Sequence, residues 1–146
     1  MDNELKQRDV SAYENGHIKL HRSLLDSSLW MLRSADLRLA MYLLLKVNWK
    51  DREWFNKWQR RRVKVRRGEL ITSLEALAIG CRETVKTIRT SLKHLIDDGF
   101  LEILNSGEKR ARQFTHLRVC KYSLYQDPEE EAGTARARHG HGTGNN

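Results

Sequence analysis

An α+β fold is predicted for this 146-residue chain by three features. Residues 72–98 read as a short helix, a tight turn and a longer helix, with Ala78, Arg82 and Ile88 at the small, turn and apolar positions of a helix-turn-helix. Two strand patterns follow, Gly99-Phe100-Leu101-Glu102-Ile103 and Phe114-Thr115-His116-Leu117-Arg118-Val119, around the basic loop Gly107-Glu108-Lys109-Arg110-Ala111-Arg112. Ahead of them, Trp54, Phe55 and Trp58 precede Val63 and Val65, which alternate with Arg62, Lys64 and Arg66 in the manner of a β-hairpin. The order is that of a winged helix-turn-helix with an extra β-hairpin between the second helix and the helix-turn-helix.

Each element has a local reason. Residues 1–16 are polar with few apolar anchors and read as a flexible N-terminus. Ile18 and Leu20 alternate with Lys19 as a short extended entry. Leu24, Leu25, Leu29 and Trp30 give one or two helical turns with an apolar side. Ser34 is positioned to cap the next helix, with Asp36 in its first turn, where a negative charge suits the dipole. That helix runs to about residue 47. Leu37, Met41, Leu44 and Leu45 make one face, and Leu39, Ala40 and Leu43 make much of the rest apolar. Such girth predicts a central helix, with self-association through residues 37–47 as the second reading.

Gly68 ends the hairpin, and Glu69-Leu70-Ile71 leads inward. Thr72 with Glu75 three residues later has the spacing of a capping box, which starts a helix near Ser73. Leu74, Leu77 and Ala78 supply its buried side, and the turn falls over residues 80–83. Thr84 caps the next helix, along which Val85, Ile88, Leu92, Leu95 and Ile96 recur at helical spacing. Gly99 stops it. From residue 127 the composition turns to Pro128, three glutamates and a Gly, Arg and His tail, so residues 127–146 read as disordered and residues 17–126 as the folded domain.

Charge points to a polyanion. Residues 17–126 hold 23 Lys and Arg against 11 Asp and Glu, a surplus of twelve, and residues 57–67 hold seven positive charges and no negative one. A helix over residues 84–98, at about 100° per residue, gathers its apolar set on one side. Lys86, Thr87, Thr90 and His94 then point away, with Arg89 and Lys93 on one flank. Arg and Lys reach guanine edges or phosphates, and Thr hydrogen-bonds or touches a thymine methyl. Lys86, Thr87 and Arg89 are expected to penetrate deepest, with Lys93 and His94 at the backbone. Lys109, Arg110 and Arg112 of the loop are placed to reach the minor groove or adjacent phosphates. Arg62, Lys64 and Arg66 of the hairpin are candidates for the same double-stranded DNA.

Enzymatic and membrane classes find little support. There is no Gly-rich phosphate loop and no acidic cluster for two metals. Asp97 and Asp98 are adjacent and so face different directions on a helix. His17, His21, His94 and His116 lack metal spacing, and His139 and His141 lie in the tail. No cofactor or metal is expected. Cys81 and Cys120 show no disulfide framework and fit a reducing cytosol, with Cys81 a small core residue. The first residues are charged, unlike a secretory signal. The longest apolar run, residues 39–45, is too short to span a bilayer.

Three separated segments then combine: His17-Ile18-Lys19-Leu20-His21-Arg22-Ser23-Leu24-Leu25-Asp26-Ser27, Arg67-Gly68-Glu69-Leu70-Ile71-Thr72-Ser73-Leu74, and Thr84-Val85-Lys86-Thr87-Ile88-Arg89-Thr90-Ser91-Leu92-Lys93-His94-Leu95. Together they resemble the N-terminal winged-helix domain of phage and prophage replisome organisers, related to DnaD-like replication initiators. The likeness covers roughly residues 16–126. It implies origin DNA binding, self-association and contact with replication proteins. Two departures stand out: Arg82 occupies a turn position where that family has Gly, and no second domain follows Gln126. A transcriptional regulator would read DNA with the same parts, and a protein-interaction module using the apolar helix is the reading from another class.

Overall fold

The computed structural model describes residues 16–57, 59–105 and 114–126. Residues 1–15 of the expected flexible N-terminus, loop residues 106–113 and the expected disordered tail 127–146 lie outside the described residues. The described chain is mixed α+β, with three principal helices and two small antiparallel sheets.

The entry forms two 3-10 turns, Arg22–Asp26 and Ser28–Met31, and only Leu29 of its apolar residues is fully buried. Leu25 and Trp30 are exposed, contrary to a continuous apolar side. The tighter 3-10 winding spreads these residues over different directions. Gln126 secures this segment: its side chain accepts from the Lys19 N–H at 2.8 Å and donates to the Lys19 carbonyl at 3.2 Å.

Helix α1 (Ser34–Lys46) begins one residue earlier than a Ser34 cap would require, with Arg33 at the cap. Ser34 is its first residue, and Asp36 accepts the Arg33 backbone N–H at 3.1 Å. Leu39, Ala40, Leu43 and Leu44 are buried within the chain, so the central placement holds. Leu37 and Met41 pack partly against the same core, and Leu45 is 66% exposed.

Strands β1 (Arg52–Asn56) and β2 (Arg61–Val65) form the hairpin, in the register Trp54↔Val63 and Phe55↔Arg62. Asn56 and Val65 are buried on its inner side, and Trp54 reaches Phe114 with ring centroids 5.0 Å apart. Phe55 faces outward.

Strand β3 (Glu69–Thr72) was legible only as an inward-leading segment, because four residues carry too little pattern. Its identity comes from its partner: the three-stranded sheet has the order β3-β5-β4, with β4 (Leu101–Ile103) and β5 (Thr115–Val119) antiparallel. Gly68, at φ +83 and buried, is needed at the entrance to β3. A Cβ there would stand 3.0 Å from the Cβ of Tyr122, while its N–H donates to the Asn48 carbonyl and its carbonyl accepts the Val119 N–H. Tyr122 opens a short helix, α4 (Tyr122–Gln126), that the sequence reading did not contain.

Helix α2 (Leu74–Cys81) is capped by Ser73, whose hydroxyl accepts the Ala76 N–H at 3.1 Å; the Thr72–Glu75 spacing placed the cap one residue early. Gly80 is helical rather than part of the turn, and a Cβ there would collide with the tip of the Tyr42 ring. The turn is made by Arg82 at φ 56 and ψ 46, with the Glu83 N–H closing back on the Ala78 carbonyl at 2.9 Å. A residue with a Cβ pays roughly 1–2 kcal/mol for that left-handed conformation.

Helix α3 (Val85–Asp98) starts at Thr84, whose hydroxyl oxygen accepts the Thr87 N–H, and ends at Gly99 with φ +84. Ile88, Leu92 and Leu95 enter the core beside Leu39, Leu43, Leu77 and Leu117. Each fully buried Leu or Ile contributes about 1.5–3 kcal/mol of transfer free energy, which fixes the rotation of α3 about its axis. Ile96, expected in the core, is instead 40% exposed at the edge of the apolar stripe.

Candidate nucleic-acid interface

With its apolar side locked, α3 presents Lys86, Arg89 and Lys93 to solvent. They recur at i, i+3 and i+7, one stripe spread over about 10 Å of helix. Among the described residues none of the three has an acidic partner at ion-pair distance. Lys86 stands in the first turn, where the macrodipole favours acids, so its charge does not serve the helix itself. Asp97 and Asp98 close the far end of α3 and repel phosphate, which confines any anionic ligand to its first ten or so residues.

Thr87 and Thr90 are half-buried beside this stripe. The Thr84 hydroxyl donates to Thr87 Oγ1 at 3.0 Å, leaving the Thr87 O–H able to donate outward. Thr90 donates to the Lys86 carbonyl at 3.2 Å, leaving its oxygen lone pairs able to accept. The pair offers one donor and one acceptor next to three cations, the functional groups that base edges answer.

His94 departs from the expected backbone contact. Its Nδ1 lies 2.8 Å from Asp36 Oδ2, and the ring turns toward α1 rather than fully outward. The Asp36 carboxylate accepts only, so Nδ1 carries the proton and Nε2 is the remaining edge. Asp36 is wholly buried and also receives Arg33 Nη2 at 3.1 Å and the Ser91 hydroxyl. Burial alone would raise its pKa, but hydrogen bonds from Arg33, Ser91, His94 and the Arg33 backbone outweigh that and hold it well below the usual carboxylate range. The hydrogen bond to Asp36, opposed by its own desolvation, raises Arg33 in turn. This cluster pins the C-terminal half of α3 to the start of α1. Sequence reading missed it, although Ser91, a polar residue at a core-facing position of α3, was the available signal.

Of the loop cations, Lys109, Arg110 and Arg112 lie outside the described residues, but the feet of the loop are fixed. The buried Asn105 side chain donates to the Phe114 carbonyl at 2.9 Å and accepts the His116 N–H at 3.0 Å, taking over pairing where the strands part. Beside it, His116 Nε2–H donates to Glu69 Oε1 at 2.7 Å. Arg118 and Glu102 pair across the strands at 2.7 Å.

In the hairpin, Arg62 and Lys64 share the outer face of β2 and Arg66 follows it, all exposed. Arg62 meets Glu53 at 3.3 Å, a solvated pair worth little. The structure thus brings Lys86, Arg89, Lys93, Thr87 and Thr90 together on α3 and the hairpin cations on a second element.

Among the described residues no group of His, Cys, Asp and Glu is arranged to hold a metal ion, and no helix is long and apolar enough to cross a membrane. Burial pushes the Cys81 thiol up, away from the thiolate a nucleophile requires. Compared with protein-family models, curated proteins and solved structures, the chain matches none.

Proposed function

We propose that this chain is a winged-helix protein that binds double-stranded DNA in the cytoplasm, acting in replication initiation in the manner of a phage or prophage replisome organiser. In this reading α2 and α3 are the helix-turn-helix, and β4, β5 and the loop between them are the wing. Helix α3 enters the major groove, with Lys86, Thr87 and Arg89 at base edges and Lys93 toward the backbone. Lys109, Arg110 and Arg112 meet phosphates or the minor groove. Contact with replication proteins belongs to the same reading. One observation carries it: α3 holds its apolar face in the core and leaves Lys86, Arg89 and Lys93 exposed and, among the described residues, without acidic partners.

The test is duplex binding as a function of salt. If Lys93 and the three loop cations meet phosphates, log affinity falls with log salt at a slope of about −3.6, or roughly two orders of magnitude over a fourfold salt increase. Arg110→Ala with Arg112→Ala weakens all sequences alike, whereas Arg89→Ala or Lys86→Ala also changes the preference among them. Equal losses from both sets, with no change in preference, would remove α3 from the reading role. Replication and transcriptional regulation share this physics. Rescue of plasmid replication from the target sequence, against repression of an adjacent promoter, separates the two.

A further inference from the structure

The β1–β2 hairpin holds a feature that duplex reading by α3 does not use. Its inner side is committed, through buried Asn56 and Val65 and the contact of Trp54 with Phe114. The pairs Phe55↔Arg62 and Glu53↔Lys64 occupy the opposite face. There Phe55 is 56% exposed, an aromatic ring the core does not require, next to two cations. Residues 50–67 hold nine Lys and Arg against two acids. Both acids are engaged, Glu53 with Arg62 at 3.3 Å and Asp51 with the Arg67 backbone N–H at 2.9 Å. Lys64 has no acidic partner among the described residues. At the hairpin's turn, Arg60 holds φ 50, a conformation that favours Gly or Asn, so a cation sits where turn chemistry would select neither charge nor bulk.

An exposed ring set among cations on a two-stranded ribbon fits a ligand with both phosphates and accessible base faces. Duplex DNA hides its base faces in the stack, and a wedge into it must first unstack a step. A single strand offers them freely, and aromatic stacking is tolerant of sequence because every base has a π face. From this we infer that the outer face of the β1–β2 hairpin binds single-stranded nucleic acid, with Phe55 stacking on an unpaired base and Arg62 and Lys64 meeting its phosphates. The inference rests on the nucleic-acid role proposed above but not on α3 reading a duplex. It gives the chain two surfaces, one for paired and one for melted polymer.

The test uses the full chain and fluorescence anisotropy with oligo(dT) and oligo(U) of about 16 nucleotides, beside a self-complementary hairpin duplex. Phe55→Ala is expected to lower affinity for the single strand about tenfold or more, with less than about a twofold change for the duplex. Phe55→Tyr keeps the ring and is expected to keep binding, whereas Phe55→Leu keeps apolar bulk without a π face and is expected to lose it, which separates stacking from misfolding of the hairpin. Arg62→Ala with Lys64→Ala flattens the single-strand salt slope by about 1.4. Arg89→Ala is expected to weaken only the duplex. If Arg89→Ala leaves the duplex unaffected while the single strand still depends on Phe55, α3 loses its role and the hairpin site stands. Phe55 dependence in either oligonucleotide supports the site, and the tighter one identifies the sugar. No binding to either oligonucleotide, no effect of Phe55→Ala, or equal loss for single strand and duplex would overturn it.

Discussion

Replacing Asp36 by Asn tests whether the buried carboxylate holds α3 against α1. The substitution keeps shape and removes charge. In the native chain the carboxylate receives the Arg33 N–H at 3.1 Å, Arg33 Nη2 at 3.1 Å, His94 Nδ1 at 2.8 Å and the Ser91 hydroxyl. Hydrogen bonds to a charged acceptor contribute about 1.5–3 kcal/mol each, against about 0.5–1.5 for neutral ones. Asn offers one oxygen, and its amide hydrogens meet donors. Against this, the burial cost of the charge disappears, and Arg33 and His94, with side chains 50% and 36% exposed, regain water. The net loss is about 2–3 kcal/mol, which for a domain of this size lowers Tm by roughly 9–13 °C. Thermal unfolding followed by circular dichroism measures it. The pH dependence carries its own sign. The folded pKa of Asp36 is depressed, so its stabilisation is complete above the unfolded value near 3.9 and is lost as pH falls through the folded one. The gap between native chain and variant is therefore expected to stay level from about pH 7 to 5 and to narrow below about pH 4. A Tm change of less than about 2 °C, or a gap that persists undiminished at low pH, would refute the reasoning.

Three further substitutions probe the frame around the site. Gly68→Ala meets both a positive φ and the Cβ of Tyr122 at 3.0 Å, so urea denaturation should show a loss of about 2–3 kcal/mol. Arg82→Gly relieves the left-handed turn of an exposed side chain and is expected to stabilise by about 0.5–1 kcal/mol, seen as a higher urea midpoint at unchanged slope. Asn105→Ala strips the Phe114 carbonyl and the His116 N–H of their partners, at a cost of about 2–3 kcal/mol. Faster hydrogen exchange at the His116 amide would report it locally, and unchanged exchange there would show that the loop feet do not depend on Asn105.

What was legible in the sequence was whatever rests on short-range periodicity. The caps Thr84 and Gly99, the helix between them and the paired valines of the hairpin all follow from rules that act within one turn or one strand. What was not legible depends on partners far along the chain. Strand β3 is four residues whose pairing comes from β5, more than forty residues on, and Gln126 answers Lys19 across 107 positions. The same distinction runs through the candidate site. Exposure of Lys86, Arg89 and Lys93 follows from the angle of α3 alone, so helical geometry sufficed. His94 lies on the same solvent-side arc by that geometry, yet its ring is drawn aside by Asp36, 58 residues earlier, because a buried carboxylate must find donors wherever the fold supplies them. Phe55 escaped for the converse reason. An aromatic interleaved with basic strand residues suits either the core or a nucleic-acid surface, and only the register with Arg62 reveals that this ring shares its face with cations. A residue whose type fits the interior but whose parity places it outside is informative because no folding term accounts for it, and that mismatch directs attention to the hairpin as a second binding surface.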